Sequence, residues 1–71
     1  AAIIDQDIDH IVSIAAEALN NLANASERLG RTEEAIPLYE QAMAAKPAFA
    51  EAPNNLANVL VRLGRVDEAI G

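Results

Sequence analysis

Two stretches of the chain repeat each other: residues 16–37 read AEALNNLANASERLGRTEEAIP, and residues 50–71 read AEAPNNLANVLVRLGRVDEAIG. Fifteen of the 22 aligned positions are identical, and in this alignment Ala16 matches Ala50 and Gly30 matches Gly64. Self-similarity at a fixed period of roughly 20–50 residues is the signature of repeat architectures. The fold is therefore predicted to be built from a repeated unit, of which the chain contains one full copy and the beginning of a second.

The amino-acid composition is typical of a helical protein. Alanine supplies 16 of the 71 residues, while aromatic residues make up only 3%. Alanine has the highest helix propensity and lets helix axes approach closely, and few strand-forming residues other than isoleucine are present. We therefore expect an all-α fold that packs through small side chains.

The net charge of −6 argues against two classes of partner. Nucleic acid binding requires a basic surface for the phosphates, and the acidic N-terminal part of the chain would be repelled by anionic membranes. No apolar run approaches the roughly 18 residues of a membrane span, and the N-terminus lacks a signal-peptide pattern. The sequence predicts no nucleic acid partner, no membrane partner and a cytoplasmic location.

A second apolar pattern occupies the N-terminal part of the chain and runs into the first copy of the repeat. Apolar residues recur there at alternating four- and three-residue steps, and we call this set the heptad seam: Ile4, Ile8, Ile11, Ala15, Ala18, Leu22, Ala25 and Leu29. Since glycine and proline are absent before Gly30, one long helix is expected from about Asp5 to Leu29. The alternative is a break near Ser13, which would cap a separate helix.

Cap and turn signals predict the helices that follow. Gly30 and Gly64 are expected to end the first and third helices, because glycine adopts the positive φ of a C-terminal cap. The second helix should run from an N-cap at Thr32 to a stop at Pro47. Its buried stripe is predicted to consist of Ala35, Ile36, Tyr39, Ala42 and Met43.

The second copy predicts a third helix and the start of a fourth. The third helix should begin near Ala50 and carry Pro53 in its first turn, where a missing N–H group costs nothing. The fourth should begin near Val66. Leu22 and Leu56, which occupy equivalent positions in the two copies, are both expected to face the core.

These features resemble the tetratricopeptide repeat, a helix–turn–helix unit whose period matches the one seen here. Its characteristic positions correspond to Leu19, Leu22, Ala23, Ala35, Tyr39 and Pro47 in the first copy, and to Leu56, Ala57, Leu60 and Ala69 in the second. Ser26 and Pro53 depart from the pattern. The resemblance covers residues 16–71 and implies an α-α solenoid, a right-handed superhelix of antiparallel helix pairs, with an incomplete last repeat.

The resemblance also divides the chain. Residues 1–15 are expected to form an N-terminal helical extension that continues into the first repeat helix. Residues 16–49 would form the first repeat, and residues 50–71 a truncated second repeat.

All six asparagines of the chain lie in two NNLAN strings. Asparagine is a mediocre helix former, so its concentration in these helices calls for an explanation. An amide offers both donors and an acceptor, and it can therefore hold a peptide backbone without reading its side chains. The alternative is that these amides bond only between neighbouring repeats or to water.

The NLAN and EAIxLY motifs are most similar to those in the repeats of O-GlcNAc transferases and their bacterial relatives. In that family an asparagine ladder in the concave groove holds extended polypeptide. The resemblance implies a peptide-binding set consisting of Asn20, Asn21, Asn24, Arg28, Asn54, Asn55, Asn58 and Arg62. A carboxylate clamp, the other binding mode of the tetratricopeptide family, is disfavoured because Asn20 stands where that clamp needs lysine.

No catalytic, cofactor or metal site is expected. Asp5, Asp7 and Asp9 have the spacing that opens a calcium-binding loop, but the loop's glycine and bidentate glutamate are replaced by His10 and Ala16. His10 is the only histidine, and nothing marks a catalytic partner for it.

The leading hypothesis is a non-catalytic module that binds extended peptide in a groove. One alternative is the substrate-recruiting fragment of a larger glycosyltransferase, which predicts an open reading frame continuing beyond Gly71. The other is a self-assembly scaffold, a homo-oligomer formed through the heptad seam or the open last helix. It predicts a dimer or a larger species that is lost when Ile8 and Ile11 become aspartate.

Overall fold

Three α-helices make up the part of the chain that the structure describes. The computed structural model describes residues 5–64, in which α1 (Asp5–Arg28), α2 (Thr32–Ala45) and α3 (Glu51–Arg62) follow one another without a strand. Helix α2 packs against both α1 and α3. The all-α prediction is confirmed, and the predicted fourth helix near Val66 lies outside the described residues.

Helix α1 is continuous over 24 residues. It passes through Ser13 without a break, so the alternative of two separate helices is wrong. The hydroxyl of Ser13 instead accepts a hydrogen bond from the ammonium group of Lys46, the residue that caps α2 at its C-terminus. This contact ties the N-terminal half of α1 to the end of α2.

A Schellman motif ends α1. Gly30 has the predicted positive φ, 82°, and its N–H donates to the carbonyl of Glu27 over 3.0 Å. The N–H of Arg31 donates to the carbonyl of Ser26 over 2.8 Å. The two bonds satisfy carbonyls that the helix end would otherwise leave without partners.

The predicted N-cap of α2 is wrong by one residue. Thr32 is already helical, and Arg31 holds the cap position without a side-chain cap bond. The reason is that Arg31 is fixed by the preceding Schellman motif, so α2 can begin at once. The N–H of Glu34 closes the first turn onto the Arg31 carbonyl over 3.1 Å. The stop at Pro47 is confirmed, since α2 ends at Ala45.

Helix α3 follows the prediction closely. Pro53 is its third residue, where an N–H group would have no partner within the helix. Leu63 caps the C-terminus, and Gly64 has a φ of 77°. The two copies of the repeat therefore end their first helices with the same positive-φ glycine.

The core is built mainly from alanine. The buried apolar side chains are Ala16, Ala23, Ala35, Tyr39, Ala42, Ala52, Val59 and Leu60. Small side chains at these positions let the helices approach closely, and Tyr39 and Val59 are the largest fully buried side chains. Ile36 and Leu38 are partly buried against this core, as are Leu56 and Leu63.

Leu22 and Leu56 have different environments despite their equivalent positions. Leu56 packs against the core cluster that includes Ala23, Tyr39 and Val59, whereas 54% of Leu22 is exposed. The prediction that Leu22 faces the core is therefore wrong. Leu56 packs against the helix pair that precedes it, and the described residues contain no helix pair before α1.

Candidate functional site

The first contact between the two repeats is a pair of asparagines. The amide nitrogen of Asn55 on α3 donates to the amide oxygen of Asn20 on α1 over 3.0 Å. Asn20 is only 2% exposed, and Asn55 is half-buried. In this structure Asn20 therefore serves the contact between repeats, which is the alternative raised for the asparagines, and its side chain is not presented to a ligand.

A second polar contact joins α2 to α1. The hydroxyl of Tyr39 lies 2.6 Å from the amide oxygen of Asn24 and also contacts the carboxylate of Glu27. A phenol has a single proton, so the two acceptors share one donor. Burial raises the pKa of Tyr39 above its ordinary value of 10.0, and the hydroxyl therefore remains a donor at neutral pH.

Glu27 also joins α1 to α3. Its carboxylate forms an ion pair with the guanidinium of Arg62, and the Glu27 side chain is only 11% exposed. The carboxylate thus receives one neutral and one charged donor from two other helices. Such charge-assisted contacts satisfy a carboxylate that is largely removed from water.

These contacts surround a shallow pocket of about 360 Å³, lined by Asn24, Glu27, Arg28 and Arg62. Three of the four residues belong to the predicted peptide-binding set. Arg28 and Arg62 are equivalent positions in the two copies of the repeat. The pocket combines two guanidinium groups, one carboxylate and one amide.

The remaining predicted asparagines are on the surface. Asn21 is exposed on α1, and Asn54 and Asn58 are exposed on α3. We use the term α1–α3 polar surface for the predicted residues that are not buried: Asn21, Asn24, Arg28, Asn54, Asn55, Asn58 and Arg62. The structure brings Asn24, Arg28 and Arg62 together in one pocket, and it separates Asn20 from them by burying it.

Sequence reasoning missed the roles of Tyr39 and Glu27 as connecting residues. Tyr39 was expected only in the buried stripe of α2, and Glu27 was not included in the binding set. A signal for Tyr39 was present, because a buried tyrosine, unlike phenylalanine, needs a partner for its hydroxyl. No comparable signal identified Glu27, since its two partners lie on other helices, far from it along the chain.

Other types of site receive no support from the described residues. Within residues 5–64, no group of three or more histidine, cysteine, aspartate or glutamate side chains is arranged to hold a metal ion. None of the three helices combines the length and apolar composition of a membrane span. A larger depression of about 420 Å³ lies beside the α1–α2 turn, and none of the predicted binding residues lines it.

A helix pair is followed by a third helix that repeats the first, with a positive-φ glycine at the equivalent helix end. Together with a core built mainly from alanine, this arrangement defines a helical-repeat protein. Two family models, both described as Tetratricopeptide repeat, match residues 27–71 and residues 1–48. The chain belongs to the tetratricopeptide repeat family. No curated protein and no solved structure gives a match. Repeats of this family generally mediate protein–protein interaction and are generally non-catalytic.

Proposed function

We propose that this chain is a non-catalytic module that binds extended peptide along the α1–α3 polar surface. The observation that most supports this proposal is the pocket lined by Asn24 and Arg28 of one repeat and by Arg62 of the next. Amides at repeated positions suit a peptide backbone, which also repeats its donors and acceptors along the chain. The proposal assigns binding to the exposed asparagines and arginines and leaves Asn20 to the contact between repeats.

The charge of the pocket favours a particular type of peptide. Arg28 and Arg62 carry two positive charges, and Glu27 offsets one of them. Guanidinium groups bind carboxylates through paired hydrogen bonds. We therefore expect the surface to prefer peptides with an acidic side chain near the pocket over basic peptides.

The experiment starts with peptides selected from a random phage-displayed library on the immobilised chain. The affinity of a selected peptide is then measured by fluorescence polarisation. The double variant Asn21→Ala, Asn58→Ala should lower that affinity at least tenfold, because it removes an exposed amide from each repeat. Selection of no peptide above background, or an unchanged affinity in the double variant, would overturn the proposal.

The matched control is Gln41→Ala on α2. Gln41 is an exposed amide side chain like Asn21 and Asn58, but it lies outside the α1–α3 polar surface. Its substitution should leave the peptide affinity unchanged. Circular dichroism of all variants checks that the helix content is preserved.

Two alternatives remain as proposals. The NLAN motif favours a substrate-recruiting role within a larger O-GlcNAc transferase-like enzyme. The decisive assay for that role is whether a longer polypeptide containing this chain transfers sugar to a bound peptide. The exposed apolar side chains of α1 favour self-assembly, which sedimentation of the chain over a range of concentrations would test. A cytoplasmic location is likewise a proposal, which fractionation of the source cells would test.

A further inference from the structure

Contacts within the protein occupy the acceptor atoms of the α1–α3 pocket, the pocket lined by Asn24, Glu27, Arg28 and Arg62. The carboxylate of Glu27 contacts the guanidinium of Arg62 through Oε1 and the hydroxyl of Tyr39 through Oε2. The amide oxygen of Asn24 lies 2.6 Å from the same hydroxyl. Every side-chain oxygen of the lining residues therefore already faces a donor, and the pocket offers mainly donors to a ligand.

The two arginines of the α1–α3 pocket are not equally available. Arg62 is paired with Glu27, and this contact takes up part of its guanidinium. Among the carboxylates that the structure describes, none lies within ion-pair distance of Arg28, which is exposed. A guanidinium presents its donors in a planar fork that matches the two oxygen atoms of a carboxylate. Arg28 thus offers a complete fork, and the amide nitrogen of Asn24 offers a further donor.

Glu27 leaves the α1–α3 pocket with a single excess positive charge, since its carboxylate offsets one of the two guanidinium groups. The Glu27 side chain is only 11% exposed, so salt screens its charge less than that of a fully exposed carboxylate. A ligand with one negative charge neutralises the pocket. A second negative charge on the ligand would be repelled by Glu27.

The second copy of the repeat has no counterpart of Glu27. Val61 stands at the equivalent position, although Arg28 and Arg62 are equivalent to each other. The repeat pattern of this chain therefore does not require a carboxylate there. The contact of Glu27 with Arg62 is an individual feature of the α1–α3 pocket.

We propose that Arg28 binds one carboxylate side chain of the peptide, and that Glu27 disfavours a phosphorylated side chain by holding Arg62. This inference rests on the proposed function and names the residue that the pocket selects, aspartate or glutamate. A phosphoryl group carries nearly two negative charges at neutral pH and three acceptor oxygens, and clusters of arginine usually bind it. Because Glu27 engages Arg62, the ligand has the complete fork of Arg28 alone, which suits one carboxylate.

The test uses a peptide selected from the phage-displayed library. Its acidic contact residue is located by replacing each aspartate and glutamate in turn with the corresponding amide. Three synthetic versions of the peptide then carry glutamate, glutamine or phosphoserine at that position. Fluorescence polarisation measures their affinities at about pH 8, at which phosphoserine is doubly charged. The native chain should bind the glutamate version about tenfold more tightly than the glutamine version, and more tightly than the phosphoserine version.

Three variants separate the roles of the charged residues. Arg28→Gln should abolish the difference between the glutamate and glutamine versions, because it removes the fork. Glu27→Gln should raise the affinity for the phosphoserine version about tenfold, because it frees Arg62 and removes the repelling charge. The matched control is the double variant Glu27→Gln, Arg62→Gln, which keeps the net charge of the native pocket. It should keep the preference for glutamate over phosphoserine.

Circular dichroism checks the helix content of each variant. The substituted side chain in Glu27→Gln retains an oxygen atom that can accept from Tyr39, and Arg28 is exposed, so Arg28→Gln tests the pocket independently. Binding that depends on no acidic residue of the peptide would overturn the inference. Tighter binding of the phosphoserine version by the native chain would also overturn it, as would an unchanged phosphoserine affinity in Glu27→Gln.

These outcomes leave the proposed function standing, because peptide binding itself is scored with Asn21→Ala, Asn58→Ala. Selection of no peptide would overturn the proposed function and this inference together.

Discussion

Tyr39 connects the apolar core to polar side chains of α1. Its ring is fully buried in the core cluster, and its hydroxyl contacts Asn24 and Glu27 on α1. The position of an aromatic residue was predictable from the repeat pattern. The partners of the hydroxyl were not, because they come from another helix whose rotation about its axis is set by packing.

Replacing Tyr39 by phenylalanine should lower the free energy of unfolding by about 1–3 kcal/mol, the range for a hydrogen bond to a polar or charged acceptor. The ring volume is kept, so no cavity forms. Urea denaturation followed by circular dichroism measures the change. An unchanged midpoint would contradict the role assigned to the hydroxyl.

Because Tyr39 is buried, the stability of the fold is expected to depend on pH. Burial raises the pKa of Tyr39 in the folded state above 10.0, so the unfolded chain loses this proton first as the pH rises. The contribution of Tyr39 to stability is complete below pH 10.0 and declines as the pH rises from there through the folded-state pKa. Urea midpoints measured across this range should fall more steeply for the native chain than for Tyr39→Phe. Since Tyr39 is the only tyrosine, its ionisation can be followed by ultraviolet absorbance.

At the scale of elements, α1 and α3 show that equivalent sequences do not have equivalent environments. Asn20 is buried and accepts a bond from Asn55, while Asn54, its counterpart, is exposed. Leu22 and Leu56 differ in the opposite sense. In each case the reason is the neighbour. Leu56 packs against an earlier helix pair, whereas the described residues place none before α1. Asn20 is covered by α3, whereas the described residues place no further helix after α3 to cover Asn54.

Because of this difference, replacing asparagine by alanine should change the stability differently in the two copies. Asn20→Ala should cost about 1–2 kcal/mol, because it leaves the half-buried amide of Asn55 without its acceptor. Asn54→Ala should cost nothing and can even stabilise α3, since alanine has the higher helix propensity. Thermal unfolding of the two variants side by side makes the comparison. Equal losses would mean that the contact between Asn20 and Asn55 contributes no stability.

At the scale of the whole molecule, the close packing of helices depends on alanine. The core cluster to which all three helices contribute includes Ala23 and Ala35, and Ala42 on α2 is likewise fully buried. Helix α2 packs against both of the other helices. A larger side chain at such a point has no room unless the helices separate. Stability of the described part therefore rests on short distances between helix axes more than on large apolar side chains.

Ala42→Leu should destabilise the chain by about 1–3 kcal/mol, the usual cost of inserting extra atoms into a packed core. Ala44→Leu is the control, because Ala44 lies shortly after it on α2 and is exposed. Its effect should stay within about 0.5 kcal/mol. Both are measured by urea denaturation, and a similar stability of the two variants would show that the helices can move apart freely.

The sequence alone determined the helical repeat, the positive-φ glycines at Gly30 and Gly64, and the family. These features follow from local propensity and from a fixed period that can be read directly along the chain. Only the tertiary structure decided that Asn20 is buried and that Leu22 is exposed. It also decided that Glu27 joins three helices, because burial and long-range pairing depend on which helix lies beside which. A repeated sequence specifies the unit, whereas the neighbours of each unit specify which of its faces remain open to a ligand.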